Sequence, residues 1–161
     1  DPRRDAISRV YRYTIANQET APALERNQVH WIRQSLNVKK MDEAAQHLVG
    51  IHDFKKFASP MQNSKSTVRE MFRSEVWKEN NSIFVELEAN AFLTHQVRKT
   101  VSVLIGVGAG KASPTIILDA LNKSITLDKW APVPAKGLCL LQVKYRNITW
   151  KKEGSYAHER F

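Results

Sequence analysis

The stretch NAFLTHQVRKTVSVLIGVGAG, residues 90–110, decides the fold. Its second half is almost entirely apolar, and His95, Arg98 and Lys99 stand at its head. Val101, Val103, Ile105 and Val107 alternate as a strand would, whereas Val97, Val101, Leu104, Ile105 and Gly108 fall within about 100° on a helical wheel. Length separates the two patterns: the segment outruns an ordinary strand, so a helix is predicted. On that helix Arg98 lies about 20° beyond Ile105, at the border of the apolar arc, with His95 and Ser102 on the same flank. Such an arginine cannot point fully into solvent without turning the apolar face outward. Either its stem packs on the core edge and the head snorkels, or the guanidinium is buried and needs a carboxylate, because an unpaired buried charge is costly.

Upstream, Ile83, Val85, Leu87 and Ala89 alternate with Glu86 and Glu88, which predicts a half-buried strand over 83–90. The segment 67–77 is its predicted partner, and KENNS between them suits a tight turn because Asn tolerates left-handed backbone. Residues 7–15 also alternate, placing Ile7, Arg9, Tyr11, Tyr13 and Ile15 on one face and Ser8, Val10, Arg12 and Thr14 on the other. Met41, Ala44, Ala45, Leu48 and Val49 trace a helical face, with Gly50 as its stop. A short apolar patch occupies 29–32, and HDFKKFASPMQNSKS (52–66) reads as a loop anchored by two phenylalanines. Downstream, Ser113-Pro114 opens a predicted helix carrying Ile117, Leu118 and Leu121. Leu138 to Tyr145 forms a last strand, and TWKKEGSYAHERF is a polar, peripheral tail. Hairpin-connected strands with inserted helices predict an α+β fold: a mostly antiparallel sheet with helices packed on one face.

The chain has 161 residues, enough for one domain with a true core. Its 25 Lys+Arg against 16 Asp+Glu give a formal charge of +9, which favours polyanions, nucleic acid foremost. The longest apolar run is too short to span a bilayer, and no membrane partner is expected. Cys139 is the sole cysteine, which rules out an intrachain disulfide and a Cys-rich zinc site and suggests a reducing compartment. It reads as a small core residue of the last strand. The five histidines have no ligand spacing, so no metal is expected. GVGAGK (106–111) meets neither the phosphate-loop nor the dinucleotide spacing and follows a helix, so its glycines read as packing and termination.

Five blocks then carry a resemblance: RVYRYTI (9–15), GIHDFKKF (50–57), STVREM (66–71), ANAFLTHQVRKTV (89–101) and GLCLLQVKY (137–145). In order and spacing they resemble the tRNA pseudouridine synthase A (TruA-like) family, N-A-F-x-x-H-x-V-R being the most specific piece. The resemblance implies isomerisation of uridine to pseudouridine in the tRNA anticodon arm, in the cytoplasm and without cofactor. It matches Arg98 to the arginine that pairs with a catalytic aspartate, and Tyr11 to the tyrosine that stacks on the flipped-out uracil. Leu138 and Leu140 would lie in the apolar pocket wall. Arg3, Arg4, Arg9, Arg12 and His95 are candidate RNA contacts.

The family's Gly-Arg-Thr-Asp-x-Gly-Val-His motif does not occur here: none of Asp1, Asp5, Asp42, Asp53, Asp119 and Asp128 sits in it. The resemblance is therefore to the C-terminal half alone, with residues 1–161 as that domain and the catalytic aspartate on an N-terminal half outside this chain. On this reading the chain is inert by itself, and its partners are tRNA, its own N-terminal half and, as in bacterial members, a second copy in a homodimer. The alternative from the residues alone is a non-catalytic α+β RNA-binding module that uses Tyr11 and Tyr13 as a stacking platform on the sheet.

Overall fold

The computed structural model describes residues 1, 4–60 and 66–146; Arg3 and the tail 149–161 lie outside the described residues. In chain order come β1 (Ala6–Asn17), β2 (His30–Ile32), α1 (Val38–Gln46), β3 (Gly50–Asp53), a 3₁₀ turn (Lys55–Phe57), β4 (Val68–Glu79) and β5 (Ser82–Ala89). Then follow α2 (Gln96–Gly108), α3 (Ile116–Asn122), a second 3₁₀ turn (Ala135–Gly137) and β6 (Leu138–Tyr145). The strands form one sheet in the order β2-β1-β5-β4-β3, with β6 also on β1. Among the described residues only the β1–β2 pair is parallel. The architecture is α+β and mostly antiparallel, as predicted. β1 is central: β5 lines one of its edges, while β6 and then β2 share the other.

The β4–β5 hairpin turns at Asn80-Asn81, where Asn80 adopts φ 52, a left-handed conformation asparagine accepts readily. Ile83, Val85, Leu87 and Ala89 of β5 are fully buried in one core with Met41, Ala44 and Ala45 of α1, Val101 and Leu104 of α2, and Ile117 of α3. All the helices thus serve the same face of the sheet. The opposite face carries charge. Glu86, only 7% exposed, lies between Arg12 at 2.8 Å and Arg73 at 2.6 Å. The Arg12 guanidinium also stands over the rings of Trp77 and Phe84. Glu88 beside it accepts from Lys144 and from Ser8 Oγ.

The ambiguous stretch is helical. Inside α2, bare glycines let neighbours close in: a Cβ on Gly106 would stand 2.1 Å from the Trp130 ring, and one on Gly108 2.6 Å from Met41 Sδ. Packing is therefore what GVGAG provides. Phe54 and Phe57 are both buried, as expected of the anchors in 52–66.

Several expectations need correction. The first helix spans 38–46 instead of 41–49: Asn37 Oδ1 caps Lys40 N at 3.0 Å, and Gly50, at φ +117, opens β3 instead of stopping the helix. β2 and β3, of three and four residues, were not expected as strands. α3 starts at Ile116, because the Ser113 carbonyl accepts from Ile116 N and closes a turn ahead of the helix. Ile7 is 45% exposed and outside the core, where the β1–β6 register slips between Ala6 and Ser8. Cys139 is exposed, not a core residue: it pairs with Arg12 and so shares the charged face, which no helix covers among the described residues.

Candidate active site

After β5 the chain must turn back over the sheet, and Asn90 shapes the turn: its Oδ1 accepts from Ala91 N and Glu70 N. Gln96 Oε1 then accepts from Leu93 N at 2.8 Å, and α2 begins. His95, just before it, holds φ 60. A left-handed residue other than glycine costs about 1–3 kcal/mol, and such strain gathers at functional sites. Ser59 ties the turn down, with Oγ hydrogen-bonded to His95 Nδ1 at 2.7 Å and its N–H donating to the Thr94 carbonyl.

Between this turn and the sheet lies a concavity of about 350 Å³, lined by Tyr11, Phe92, His95, Arg98, Ala135 and Leu138 among others. Tyr11 meets Phe92 edge to face at 5.2 Å between centroids. Tyr13, two residues along β1, is fully buried and donates its hydroxyl to the Pro134 carbonyl at 2.6 Å. Burial pushes its phenol pKa up, against the opposing pull of the Arg98 charge. A ring so enclosed cannot stack on a base, which removes half of the sheet platform that the RNA-binding-module reading requires.

Arg98 is half-buried at the core edge. Its Nε donates to the Val133 carbonyl at 2.7 Å, and Val133 N–H donates to the Arg98 carbonyl at 3.2 Å. No salt bridge joins it to a carboxylate among the described residues. The segment that braces it, residues 126–137, is itself anchored by Leu127 in the core, by Trp130 on Gly106 and by the Tyr13–Pro134 bond. Gly137 completes the path, since a Cβ there would lie 2.7 Å from the Tyr13 ring.

The structure thus brings Tyr11, His95, Arg98 and Leu138 together. Leu140 pairs across from Tyr11 but is 48% exposed and outside the lining. Arg4 faces solvent beside Asp1, Arg9 donates to the Asn90 carbonyl, and Arg12 belongs to the Glu86 cluster on the other face. Phe92 and Val133 went unassigned in the sequence. Phe92 had a signal, being inside the most specific block, whereas Val133 acts through a backbone carbonyl that no sequence pattern marks. Among the described residues no group of three or more His, Cys, Asp or Glu side chains converges as metal ligands would.

A family profile described as tRNA pseudouridine synthase matches residues 44–146. A protein from Alcanivorax borkumensis named tRNA pseudouridine synthase A is 40% identical over 146 residues, covering 91% of this chain and 55% of the relative. Proteins of the same name from Coxiella burnetii and Bartonella tribocorum are 36% and 38% identical, over 89% and 90% of the chain and 55% and 59% of the relatives. The chain therefore spans little more than half the length of the curated relatives it matches.

Proposed function

The chain belongs to the tRNA pseudouridine synthase family, and from that membership we propose that it forms one wall of an active site that isomerises uridine to pseudouridine in the anticodon arm of tRNA. In that reaction the bond from C1′ to uracil N1 breaks, the base turns over within the site, and C5 bonds to C1′. The hydrogen on C5 is lost and N1 takes up a proton, so the change is an isomerisation that needs no redox partner.

Tyr11 stacks on the extruded uracil, with Leu138 as apolar wall, in the way enzymes hold a flipped base. Arg98 receives the carboxylate of a catalytic aspartate delivered by an N-terminal half. An opposite charge at contact distance keeps that acid ionised, and the fork geometry aims it. The observation that carries this reading is the Arg98–Val133 bond. It uses Nε and leaves the two terminal nitrogens without a partner among the described residues, beside Tyr11 at the same concavity. The charge of +9 suits tRNA as the bound partner. A cytoplasmic setting and a homodimer complete the proposal.

None of the chain's six aspartates follows an Arg-Thr pair, so the 161 residues alone should leave uridine unchanged. Tritium release from tRNA carrying 5-tritiated uridine tests this. The complete protein should release the label and the isolated chain should not; release by the isolated chain would overturn the division of labour.

A further inference from the structure

We propose that a second, larger concavity beside the first seats the phosphodiester backbone of the RNA strand that flanks the nucleotide held against Tyr11. This rests on the reading above, which it extends to a site of its own.

The concavity has a volume of about 670 Å³, and its described lining includes Lys55, Lys56, Ser59, Thr67, Lys99 and Leu127. It shares a wall with the first, because Ser59 lines the one, His95 lines the other, and the two are hydrogen-bonded. The head of α2 divides them. Consecutive residues go to opposite sides, Arg98 to the smaller concavity and Lys99 to the larger.

The chemistry of the two differs in kind. The smaller one holds the aromatic pair Tyr11 and Phe92, whereas no aromatic residue lines the larger among the described residues. Bases seek aromatic faces, and backbones seek cations and hydroxyls. Three lysines stand against one acid, Asp128, in the larger lining. Lys56 Nζ donates to the Lys123 carbonyl. The ammonium groups of Lys55 and Lys99 enter no hydrogen bond or salt bridge among the described residues, so both remain available to an anion.

The platform beneath Lys55 is fixed. Asp53 Oδ1 accepts from Lys55 N–H at 3.0 Å and from Thr67 Oγ1 at 2.5 Å. The Thr67 hydroxyl holds the Asp53 carboxyl below the usual carboxylate range, so the clamp persists at neutral pH. Buried Ala58 and Leu127 give an apolar floor on which a ribose can rest. The volume suits a stretch of strand better than a lone phosphate.

The test uses the complete protein and an unmodified tRNA transcript, with dissociation constants measured across a salt series. Lys55→Gln and Lys99→Gln together should weaken binding at least tenfold at moderate salt. They should also flatten the plot of log K against log salt by about 0.7–0.9 per lost contact. Lys39→Gln, at an exposed position of α1, is the charge-matched control and should leave the slope unaltered. Neutral methylphosphonates placed beside the target uridine should weaken the unaltered protein, yet add nothing to the double variant.

Unchanged affinity and slope in the double variant would overturn the proposal, as would methylphosphonate penalties that simply add to those of the lysines. Failure of the base-pocket reading has a separate signature: Arg98→Ala protein that still turns over uridine. That result would leave a lysine-dependent salt slope standing.

Discussion

Arg98 and Val133 hold each other twice, through Nε to the Val133 carbonyl at 2.7 Å and through Val133 N–H to the Arg98 carbonyl at 3.2 Å. The backbone bond holds the Val133 carbonyl in place and the Nε bond to it orients the guanidinium plane, whereas the ammonium of a lysine is a compact charge with no plane to fix. Arg98→Lys in the complete protein should therefore keep the charge and lose the aim. Turnover should fall about 100-fold, the usual scale for a group misplaced by an ångström, while the melting temperature stays near that of the unaltered protein. Steady-state kinetics beside thermal melts would check this; near-normal turnover in Arg98→Lys would remove the orienting role.

The brace depends on a glycine that lies outside the lining of the Tyr11–Arg98 concavity. Gly106 has no room for a Cβ against Trp130, and Trp130 belongs to the segment that presents Val133. Gly106→Ala should cost about 1–3 kcal/mol by overpacking, read as a lower urea midpoint at constant slope. Trp130→Phe makes space, so the double variant should recover part of that loss. A pair of effects that merely sum would show that the two residues are not coupled.

On the opposite face of the sheet, burial works to raise the Glu86 pKa, but Arg73 and Arg12 outweigh it and the net shift is downward. A depressed folded-state value means the carboxylate stabilises the fold above the ordinary glutamate pKa of about 4.3. That contribution drains away as pH falls through the lowered value. Glu86→Gln should thus lose roughly 2 kcal/mol at neutral pH and show a flatter acid limb than the unaltered protein. Parallel acid limbs in the two proteins would place the acid sensitivity elsewhere.

How far the sequence reveals this arrangement varies with the kind of signal. α2 and β5 were legible because their apolar periods run long enough to exclude the other period, and Phe54 and Phe57 because large rings in a polar stretch need a core. β2 was not: it is three residues long, and its place is set by Asn17, whose side chain donates to the carbonyls of Ile32 and Gln34. Nor was the side on which Cys139 falls. The run Leu138 to Leu141 is apolar at every position, and the register slip between Val10 and Tyr11 leaves Leu141 as an extra residue. Arg98 could be placed at the core edge from the wheel, but its brace is a backbone carbonyl 35 residues away.

The edge-to-face pair of Tyr11 and Phe92 yields a test of the base pocket that does not depend on catalysis. Phe92 presents its ring at 89° to Tyr11, and the contact fixes the attitude of the tyrosine. A base stacked on an aromatic side chain gains about 1–3 kcal/mol, or roughly 5- to 150-fold in Kd. Tyr11→Ala should lose that amount in binding tRNA, whereas Tyr11→Phe should stay within a few-fold because the ring persists. Phe92→Ala should cost about 0.5–1.5 kcal/mol, the worth of an aromatic pair beyond its buried area. The two alanine variants combined should lose less than their sum, since Phe92 has no ring to orient once Tyr11 is gone. Fully additive losses would mean that Phe92 acts on the RNA independently, and equal binding by Tyr11→Ala and the unaltered protein would mean that no base rests there.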